Sequence, residues 1–513
     1  MSKSLLKSTG IVSAMTSLSR VTGFIRDMVY AQMFGAGAGT DAFFVAFRIP
    51  NFLRRLFAEG AFSQAFVPVF SEYQTQRSHE ELKELVDQVA GTLGAILLLI
   101  SAIGVVAAPL LILLFAPGFS ADAGKYEMTV AMLRITFPYL FFISLTAFAG
   151  GVLNSCGKFA IPAITPVLLN LTMIAAALWL APRMAQPVVG LAWGVFIAGV
   201  IQLSFQIPFL HQIKLLPRPR WGWAARGVQQ VLKLMVPAIF GSSVAQVNLL
   251  IDTVVASFLI SGSVSWLYYS DRLVEFPLGI FGVALGTVIL PKLSRQHASA
   301  EAGGFSQTLD WALRWALLIG VPATVALMLL AYPLLSALFQ YGQFEARDVA
   351  MSARSLIAFA LGLVAFMLIK VLAPGFYARQ DTRSPVKYGV IAMVANTVLV
   401  LLLVWPLAHA GLALATSLAA YLNAGLLFTN LRRRAIYQPL GGWPRFLLQL
   451  ALANLAMGLV LWFGVGHLDS WLQASAKARL WHLSGLVVAG GASYLLAVLA
   501  VGIRPRHLLL RQG

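Results

Sequence analysis

The sequence has few charged residues and almost no cysteine. Of its 513 residues, only 11% are charged, which is less than half of the roughly 25% found in soluble domains. The single cysteine, Cys156, excludes an intramolecular disulfide. The seven histidines fall in predicted loops and span ends, and no two of them have metal-ligand spacing on one helix. This composition excludes a soluble globular protein and does not indicate a metal centre.

Hydrophobic residues, in contrast, make up 59% of the chain. Apolar stretches of about 20 residues, long enough to cross a bilayer, are separated by polar breaks. The first follows Lys3 and Lys7, lacks a small-residue cleavage site and is expected to be an uncleaved helix. We predict an all-α polytopic membrane protein with 14 spans, near 9–34, 42–69, 88–115, 128–153, 160–181, 187–210, 233–259, 265–291, 309–331, 349–376, 386–406, 410–430, 444–466 and 481–503.

Basic residues outnumber acidic ones, with 37 Lys and Arg against 19 Asp and Glu and a net charge of +18. In a soluble protein such an excess would favour nucleic-acid binding. On the predicted topology, however, most loop lysines and arginines lie on the side that holds both termini. Cytoplasmic loops of membrane proteins are enriched in these residues. Both termini are therefore predicted to be cytoplasmic, and no nucleic-acid partner is expected.

The chain repeats itself along its length. FIRDMVYAQMFGAGAGTDAFF aligns with LLIDTVVASFLISGSVSWLYY, which places Asp27 over Asp252 and Gly37 over Gly262. Further landmarks recur in the same order, and six spans per repeat give both copies the same membrane orientation. Parallel repeats of this kind occur in transporters, with the substrate site between the halves. We predict an N-lobe, a cytoplasmic linker, a C-lobe and a final pair of spans, at 1–215, 216–232, 233–435 and 436–513.

The predicted second span is unusual because it carries five charges, Asp41, Arg48, Arg54, Arg55 and Glu59. A charge at bilayer depth costs at least ~2.5–3.5 kcal/mol on insertion scales, so the helix should face a wet cavity or paired charges. At ~100° per residue all but Arg54 share one face. Pro50 is expected to kink or break the helix and to re-aim the residues after it. The alternative is a structural salt-bridge ladder that includes an Arg55–Glu59 pair.

Charges also lie in the first, seventh and eighth predicted spans: Arg20, Arg26, Asp27, Asp252, Asp271, Arg272 and Glu275. Several arginines in one low-dielectric cleft repel each other unless an anion binds, and the planar guanidinium suits phosphate oxygens. A diphosphate substrate is therefore favoured. Asp27, Asp41, Glu59, Asp271 and Glu275 could pair with these arginines in the empty site and so form a gate. Permanent structural ion pairs are the alternative.

Three long segments, 19–68, 261–294 and 370–387, closely resemble the MurJ/MviN family, the lipid II flippases of bacterial peptidoglycan synthesis. They include SRVTGFIRDMVYAQMFGAGAGTDAFF, SGSVSWLYYSDRLVEFPLGIFG and KVLAPGFYARQDTRSPVK. The resemblance extends over essentially the whole chain. It implies the fold of the multidrug/oligosaccharidyl-lipid/polysaccharide exporter superfamily, with two six-helix lobes around a cationic cavity. It also implies two extra C-terminal helices that form a groove for the polyprenyl tail.

The resemblance also implies roles for individual residues. The essential arginines of the family match Arg20, Arg26, Arg54 and Arg272, and its essential acids match Asp41 and Glu59. It favours Arg54 over Arg55, against the helical-face argument, and gives Arg48 a looser charge role. Some members bind sodium in the second lobe, and Asp252 is the candidate ligand here, without a full ligand set. No cofactor is expected, and transport could be coupled to the membrane potential or to a monovalent cation.

The function implied by the resemblance is that of a transporter, not an enzyme, in the bacterial inner membrane. It would move lipid II from the cytoplasmic to the outer leaflet by alternating access. Expected partners are lipid II, membrane lipids and other cell-wall synthesis and division proteins. The alternatives are an exporter of another polyprenyl-linked glycan or of drugs, an enzyme acting on polyprenyl diphosphates, and a membrane scaffold. A cavity for cationic drugs should be lined by acids, whereas this one is rich in arginine.

Overall fold

The computed structural model describes residues 3–55, 62–279, 283–299 and 302–503, and in these ranges the regular structure is helical. The α-helices are α1 (Lys3–Phe34), α2 (Ala38–Arg54), α3 (Ser63–Gln76), α4 (His79–Val106), α5 (Ala108–Phe115), α6 (Ala123–Thr136), α7 (Tyr139–Ser155), α8 (Ala160–Ala175), α9 (Val189–Gln212), α10 (Arg226–Ser257), α11 (Ser263–Pro277), α12 (Val283–Ala298), α13 (Ala302–Leu329), α14 (Ala331–Phe339), α15 (Ala346–Tyr377), α16 (Arg383–Leu407), α17 (His409–Arg433), α18 (Trp443–Val465), α19 (Leu468–Gln473) and α20 (Ala476–Ala500).

Within those ranges, 10 helices or helix pairs are long and apolar enough to cross a membrane. They correspond to ten of the predicted spans and confirm a multi-pass helical membrane protein. The other four predicted spans fall on α1, on α2 with α3, on α10, and on α11 with α12. These four spans carry most of the charged residues that lie within the predicted spans.

Local sequence explains where several helices begin and break. At the start of α2, the backbone N–H of Gly37 donates to the Thr40 hydroxyl at 3.0 Å. The Ser78 hydroxyl accepts from the backbone N–H of Glu81, and the Glu81 carboxylate accepts from the backbone N–H of Ser78, which together cap α4. Pro50 lies inside α2, which continues to Arg54. A break at Pro50 is therefore wrong, because the helix passes through the proline before it ends.

The chain forms two compact units, Met1–Val264 and Ser265–Gly513. In the first unit the core joins α3, α4, α7 and the first half of α10 around four phenylalanine rings. Ring centroids of Phe66 lie 5.1 Å from those of both Phe62 and Phe148, and 5.6 Å from that of Phe70. In the same unit α2 packs directly against α6, and a buried ion pair joins them.

In the second unit, α15 packs against both α13 and α17, and α18 pairs with α20. Asp310 on α13 fixes the segment that joins α17 to α18. One of its carboxylate oxygens accepts from the Tyr437 hydroxyl at 2.8 Å and from the Trp443 indole at 2.7 Å. The other accepts from Arg314 at 2.8 Å. Because Trp443 is the first residue of α18, this network sets where α18 begins against α13.

Candidate functional site

Asp41 in the first turn of α2 is almost fully buried, with 1% of its surface exposed. Its Oδ2 lies 3.0 Å from Nζ of Lys125 on α6 and accepts from the backbone N–H of Gly262 at 2.7 Å. Lys125 is also buried and donates to the Ser261 hydroxyl at 3.3 Å. Lys125 was not among the site residues that the sequence predicted, and in the structure it forms an ion pair with Asp41, for which the sequence suggested arginine partners.

Arg26 and Asp27 form a second buried cluster, on α1. Arg26 donates through Nε and Nη2 to Oδ1 of Asp27, at 3.0 and 2.7 Å. Its Nη1 donates to Oδ1 of Asn170 on α8 at 3.0 Å, and its guanidinium lies 5.5 Å from the centre of the Tyr30 ring. Asp27 thus pairs with an arginine, its neighbour in sequence, while its part in a gate stays a prediction. These contacts hold the guanidinium in one orientation.

Asn170 is a residue that the sequence analysis missed. It is buried, and its amide donates to the backbone carbonyl of Ser19 at 2.9 Å and to the Thr22 hydroxyl at 3.1 Å. A Cβ at Gly23 would lie 3.3 Å from the same amide nitrogen, so glycine admits the close approach. An amide inside the apolar run TPVLLNLTM was the available signal, since such groups bridge helices within membranes. A pattern of charged side chains does not reveal a neutral amide.

The remaining arginines of the first two spans occupy different surroundings. Arg20 on α1 and Arg55 after α2 are exposed. Arg48 donates to the Thr253 hydroxyl on α10 at 2.7 Å, and Arg54 donates to the Asn51 side chain at 2.8 Å. The predicted common face of α2 therefore does not give a common environment, because its members range from buried to exposed along the helix. Glu59 lies outside the described residues, as does its suggested pairing with Arg55.

Asp252, the candidate sodium ligand, lies half-buried on α10 beside Thr253. Among the residues for which positions are described, no group of three or more His, Cys, Asp or Glu is placed to hold a metal ion. A site at Asp252 would therefore need hydroxyl and backbone oxygens to complete it, which sodium accepts more readily than a transition metal does. Its role stays a prediction.

In the second unit, the arginine of the candidate site is more open. Arg272 on α11 pairs with Glu275 at 2.8 Å and donates to the Tyr268 hydroxyl at 3.1 Å. The side chains of Arg272 and Glu275 are 36% and 50% exposed. Asp271 beside them is exposed. Glu275 thus pairs with an arginine of its own helix, and the partial exposure of that guanidinium leaves it accessible to an anion.

These helices have the fold of solved transporters of the MOP superfamily, which they resemble in structure. The structure is similar to an inward-facing multidrug resistance MATE family transporter of that superfamily, with a TM-score of 0.67 and 15% identity, covering 83% of this chain and 98% of that chain. It is also similar to a lipid II flippase MurJ in an inward closed conformation, with a TM-score of 0.79 and 27% identity, covering 95% of this chain and 97% of that one.

The sequence comparisons identify the family. Residues 30–481 match the family model of the lipid II flippase MurJ. A probable lipid II flippase MurJ of Vibrio cholerae is 50% identical over 99% of this chain and 98% of the relative. A lipid II flippase MurJ of Burkholderia cenocepacia is 44% identical over 96% of both chains. The chain belongs to the MurJ family of lipid II flippases.

Proposed function

We propose that this protein moves lipid II from the cytoplasmic to the outer leaflet of the inner membrane, for peptidoglycan synthesis. The observation that carries the proposal is membership of the MurJ family along essentially the whole chain, with 50% identity to one relative over 515 residues. The protein is a transporter and not an enzyme. The buried and half-buried arginines agree with a diphosphate-bearing substrate.

For substrate binding we propose Arg20, Arg26, Arg54 and Arg272. Arginine binds phosphate oxygens through two parallel N–H donors, and such donors are accessible on the exposed Arg20 and the partly exposed Arg272. A diphosphate would compete with Asp27 for Arg26 and with Glu275 for Arg272. We propose that substrate binding is sensed when a phosphate replaces the carboxylate partner of these arginines.

For gating we propose the pair of Asp41 and Lys125, with Glu59, Arg48, Arg55 and Asp271 as further charges. The Asp41 carboxylate joins α2, α6 and the backbone that precedes α11 through one ion pair and one N–H donor. Separating these elements would break both contacts at once. A closed gate of this kind opens only when another interaction offsets the lost pair.

For the architecture we propose fourteen spans in two parallel six-span repeats at 1–215 and 233–435, with a cytoplasmic linker at 216–232. The final pair, α18 and α20 within 436–513, would hold the polyprenyl tail. Both termini would be cytoplasmic. The supporting observations are the internal repeat, the ten apolar spans and the distribution of loop lysines and arginines.

For energy coupling we propose the membrane potential or a monovalent cation, with Asp252 as a candidate ligand. One charge that crosses ~100 mV changes its energy by about 2.3 kcal/mol. Turnover in vesicles that is unchanged after the potential is collapsed would remove this part of the proposal. Other cell-wall synthesis and division proteins are the proposed protein partners.

The experiment that tests the function is complementation in cells depleted of their own flippase, with exposure of lipid II at the outer leaflet as the readout. Wild type should rescue, whereas Arg26→Ala, Arg54→Ala and Arg272→Ala should not, at matched membrane levels. Failure of the wild type would favour another polyprenyl-linked glycan. Full rescue by all three variants would make these arginines structural.

A further inference from the structure

An apolar groove of about 270 Å³ lies on the second unit, between α13, α15 and α17. It is lined by Leu313, Leu317, Leu368, Leu372, Tyr421, Ala424, Gly425, Phe428 and Trp443. The α17 members recur at helical spacing from Tyr421 to Phe428, a length of about 10 Å at 1.5 Å per residue. All three helices are apolar enough to cross the membrane. The groove therefore has the surface and the length to hold one hydrocarbon chain.

Gly425 creates the space in this groove. A Cβ added at this position would meet no atom within 4 Å. The neighbouring Ala424 is buried and small, so the pair lowers the α17 surface between two aromatic residues. The absence of a side chain at Gly425 thus leaves room that the protein's own packing does not fill.

The end of the groove carries positive charge. The Arg432 guanidinium lies 6.0 Å from the centre of the Phe428 ring, and that of Arg314 lies 5.0 Å from the centre of the Trp443 ring. Both rings line the groove. Arg432 is one helical turn beyond Phe428 on the exposed end of α17, where three arginines occur in succession at 432–434. By the positive-inside rule, this is the cytoplasmic end.

The neighbouring carboxylates do not neutralise Arg432. Asp310 is bound by Arg314, and Asp381 is bound by Arg434 at 2.9 Å. Within the described ranges, no carboxylate lies at ion-pair distance from Arg432. The end of the groove thus has the accessible guanidinium of Arg432 directly beside an apolar surface. A phosphate group joined to a hydrocarbon chain would fit both.

We propose that this groove binds an anionic phospholipid of the cytoplasmic leaflet, with one acyl chain along Gly425 and the phosphate at Arg432. Basic pockets between transmembrane helices on the cytoplasmic side bind anionic head groups in this way. Arg314 contributes positive potential while it holds Asp310, and Asp310 in turn fixes Trp443 as one wall of the groove. The proposal does not depend on which lipid is transported.

The test is native mass spectrometry of the detergent-purified full chain, titrated with phosphatidylglycerol or phosphatidylethanolamine that have the same acyl chains. Phosphatidylglycerol should bind more tightly, and Arg432→Gln should weaken it about fivefold. Gly425→Leu should weaken both lipids, because the new side chain occupies the space of the acyl chain. Equal binding of the two lipids to the wild type would overturn the proposal.

Two matched controls are available in the chain. Arg433→Gln removes the same charge one residue further along α17 and should leave binding unchanged. Gly389→Leu makes the same exchange on α16, at another glycine with no atom within 4 Å of its added Cβ, and should leave the binding of both lipids unchanged. Equal losses in Arg432→Gln and Arg433→Gln would mean diffuse attraction to basic residues and would overturn the site.

A further arm separates this site from the substrate pathway. Lipid II should not displace phosphatidylglycerol, and its binding should be the same in Gly425→Leu as in wild type. If lipid II competes and Gly425→Leu weakens it, then the groove holds the polyprenyl tail and the phospholipid assignment is wrong. If Gly425→Leu folds poorly, Arg432→Gln gives the answer alone, since its side chain is exposed.

Discussion

The start of α2 in the first unit is held to α6 by a buried ion pair, whereas the start of α11 in the second unit is held to α15 by an indole. Asp41 lies 3.0 Å from Lys125, and the Trp266 indole donates to Asp348 at 2.9 Å. Asp41 and Trp266 each stand four residues after the matched glycines of the internal repeat, Gly37 and Gly262. Corresponding positions of the repeat therefore join the start of a helix to a neighbouring helix in different ways, by an ion pair in the first unit and by a neutral donor in the second.

The difference affects how each contact can be broken. A buried ion pair is stable only while both charges are present, because either one alone pays the desolvation penalty. The indole of Trp266 is a neutral donor, so breaking its hydrogen bond removes no charge that balances Asp348. The Asp348 carboxylate still accepts from the backbone N–H of Glu345 at 3.0 Å. We infer that the Asp41–Lys125 ion pair responds to changes of charge nearby, while the Trp266–Asp348 hydrogen bond stays formed.

The largest expected effect is that of Lys125→Met. Loss of the ammonium leaves Asp41 buried with the Gly262 N–H and should lower the free energy of unfolding by about 3–5 kcal/mol. Thermal unfolding of the purified protein in detergent measures this loss. Adding Asp41→Asn should recover part of it, since the double variant buries no unpaired charge.

The control for this prediction is Arg77→Met. Arg77 pairs with Glu81 at 3.3 Å, and about half of each side chain is exposed. An exposed pair contributes about 0–1 kcal/mol, so the melting temperature should hardly change. Strictly additive losses for Asp41→Asn and Lys125→Met would contradict the proposed coupling.

A second comparison is between Arg26 in the first unit and Arg272 in the second, each of which forms an ion pair with an acid of its own helix. Arg26→Ala leaves the Asp27 carboxylate buried and should cost about 3 kcal/mol of stability, in addition to loss of transport. Arg272→Ala breaks a half-exposed pair and should change stability by about 0–1 kcal/mol while also abolishing transport. Melting curves together with lipid II exposure in cells separate the two effects. Equal destabilisation by both variants would refute the contrast.

Asn170 sharpens the same contrast, because it orients Arg26 from another helix, whereas Glu275 and Tyr268 contact Arg272 from its own helix. Asn170→Ala removes the amide that orients Arg26 and should cost about 2 kcal/mol of stability, with weaker lipid II binding. In the Arg26→Ala background, Asn170→Ala should cause no further loss of binding. A full additional loss there would show that Asn170 acts independently of Arg26.

Trp266→Phe tests the hydrogen bond between Trp266 and Asp348. The ring is kept in part while the donor to Asp348 is lost, so the expected loss is about 1.5 kcal/mol, well below that of Lys125→Met. Thermal unfolding under the same conditions provides the comparison. A loss as large as that of Lys125→Met would mean that the two units do not differ in this way.

The sequence predicted ten of the apolar spans well, because hydropathy is a local pattern. Ten spans lie where hydropathy placed them, and the Arg272–Glu275 pair is expected from neighbouring positions on one helix. The Asp41–Lys125 pair could not be predicted in the same way. Its members are 84 residues apart, and no local pattern in the sequence connects Lys125 on α6 with Asp41 on α2.

Asn170 was missed for a related reason. It lies 144 residues from Arg26 and carries no charge, so neither helical spacing nor charge counting connects the two. The common face of α2 failed because an ideal helical wheel assigns direction and not environment. Neighbouring helices bury Asp41 and leave Arg55 exposed, and only tertiary packing contains that information.

The smallest expected effect concerns Asp381, between α15 and α16. Burial raises the pKa of this carboxyl, but hydrogen bonds from Ser384 and Arg434 lower it more, so the pKa lies below its usual range. A lowered folded-state pKa contributes stability above the unfolded value of about 3.9, and this stability is lost as the pH falls through the folded value. Asp381→Asn should therefore reduce stability at pH 7 by about 0–1 kcal/mol and have no effect at strongly acidic pH.

A carboxylate also holds a connecting segment in the first unit, where Asp87 accepts from the backbone N–H of Arg218 at 2.7 Å and pairs with Lys83. Both units thus fasten a polar connecting segment with a carboxylate, and here the chemistry of the two units agrees. Melting temperatures of wild type and Asp381→Asn between pH 7 and pH 3 should converge as the pH falls. A constant difference across that range would mean that Asp381 stabilises through packing, and the contrast between the units would then rest on their buried pairs alone.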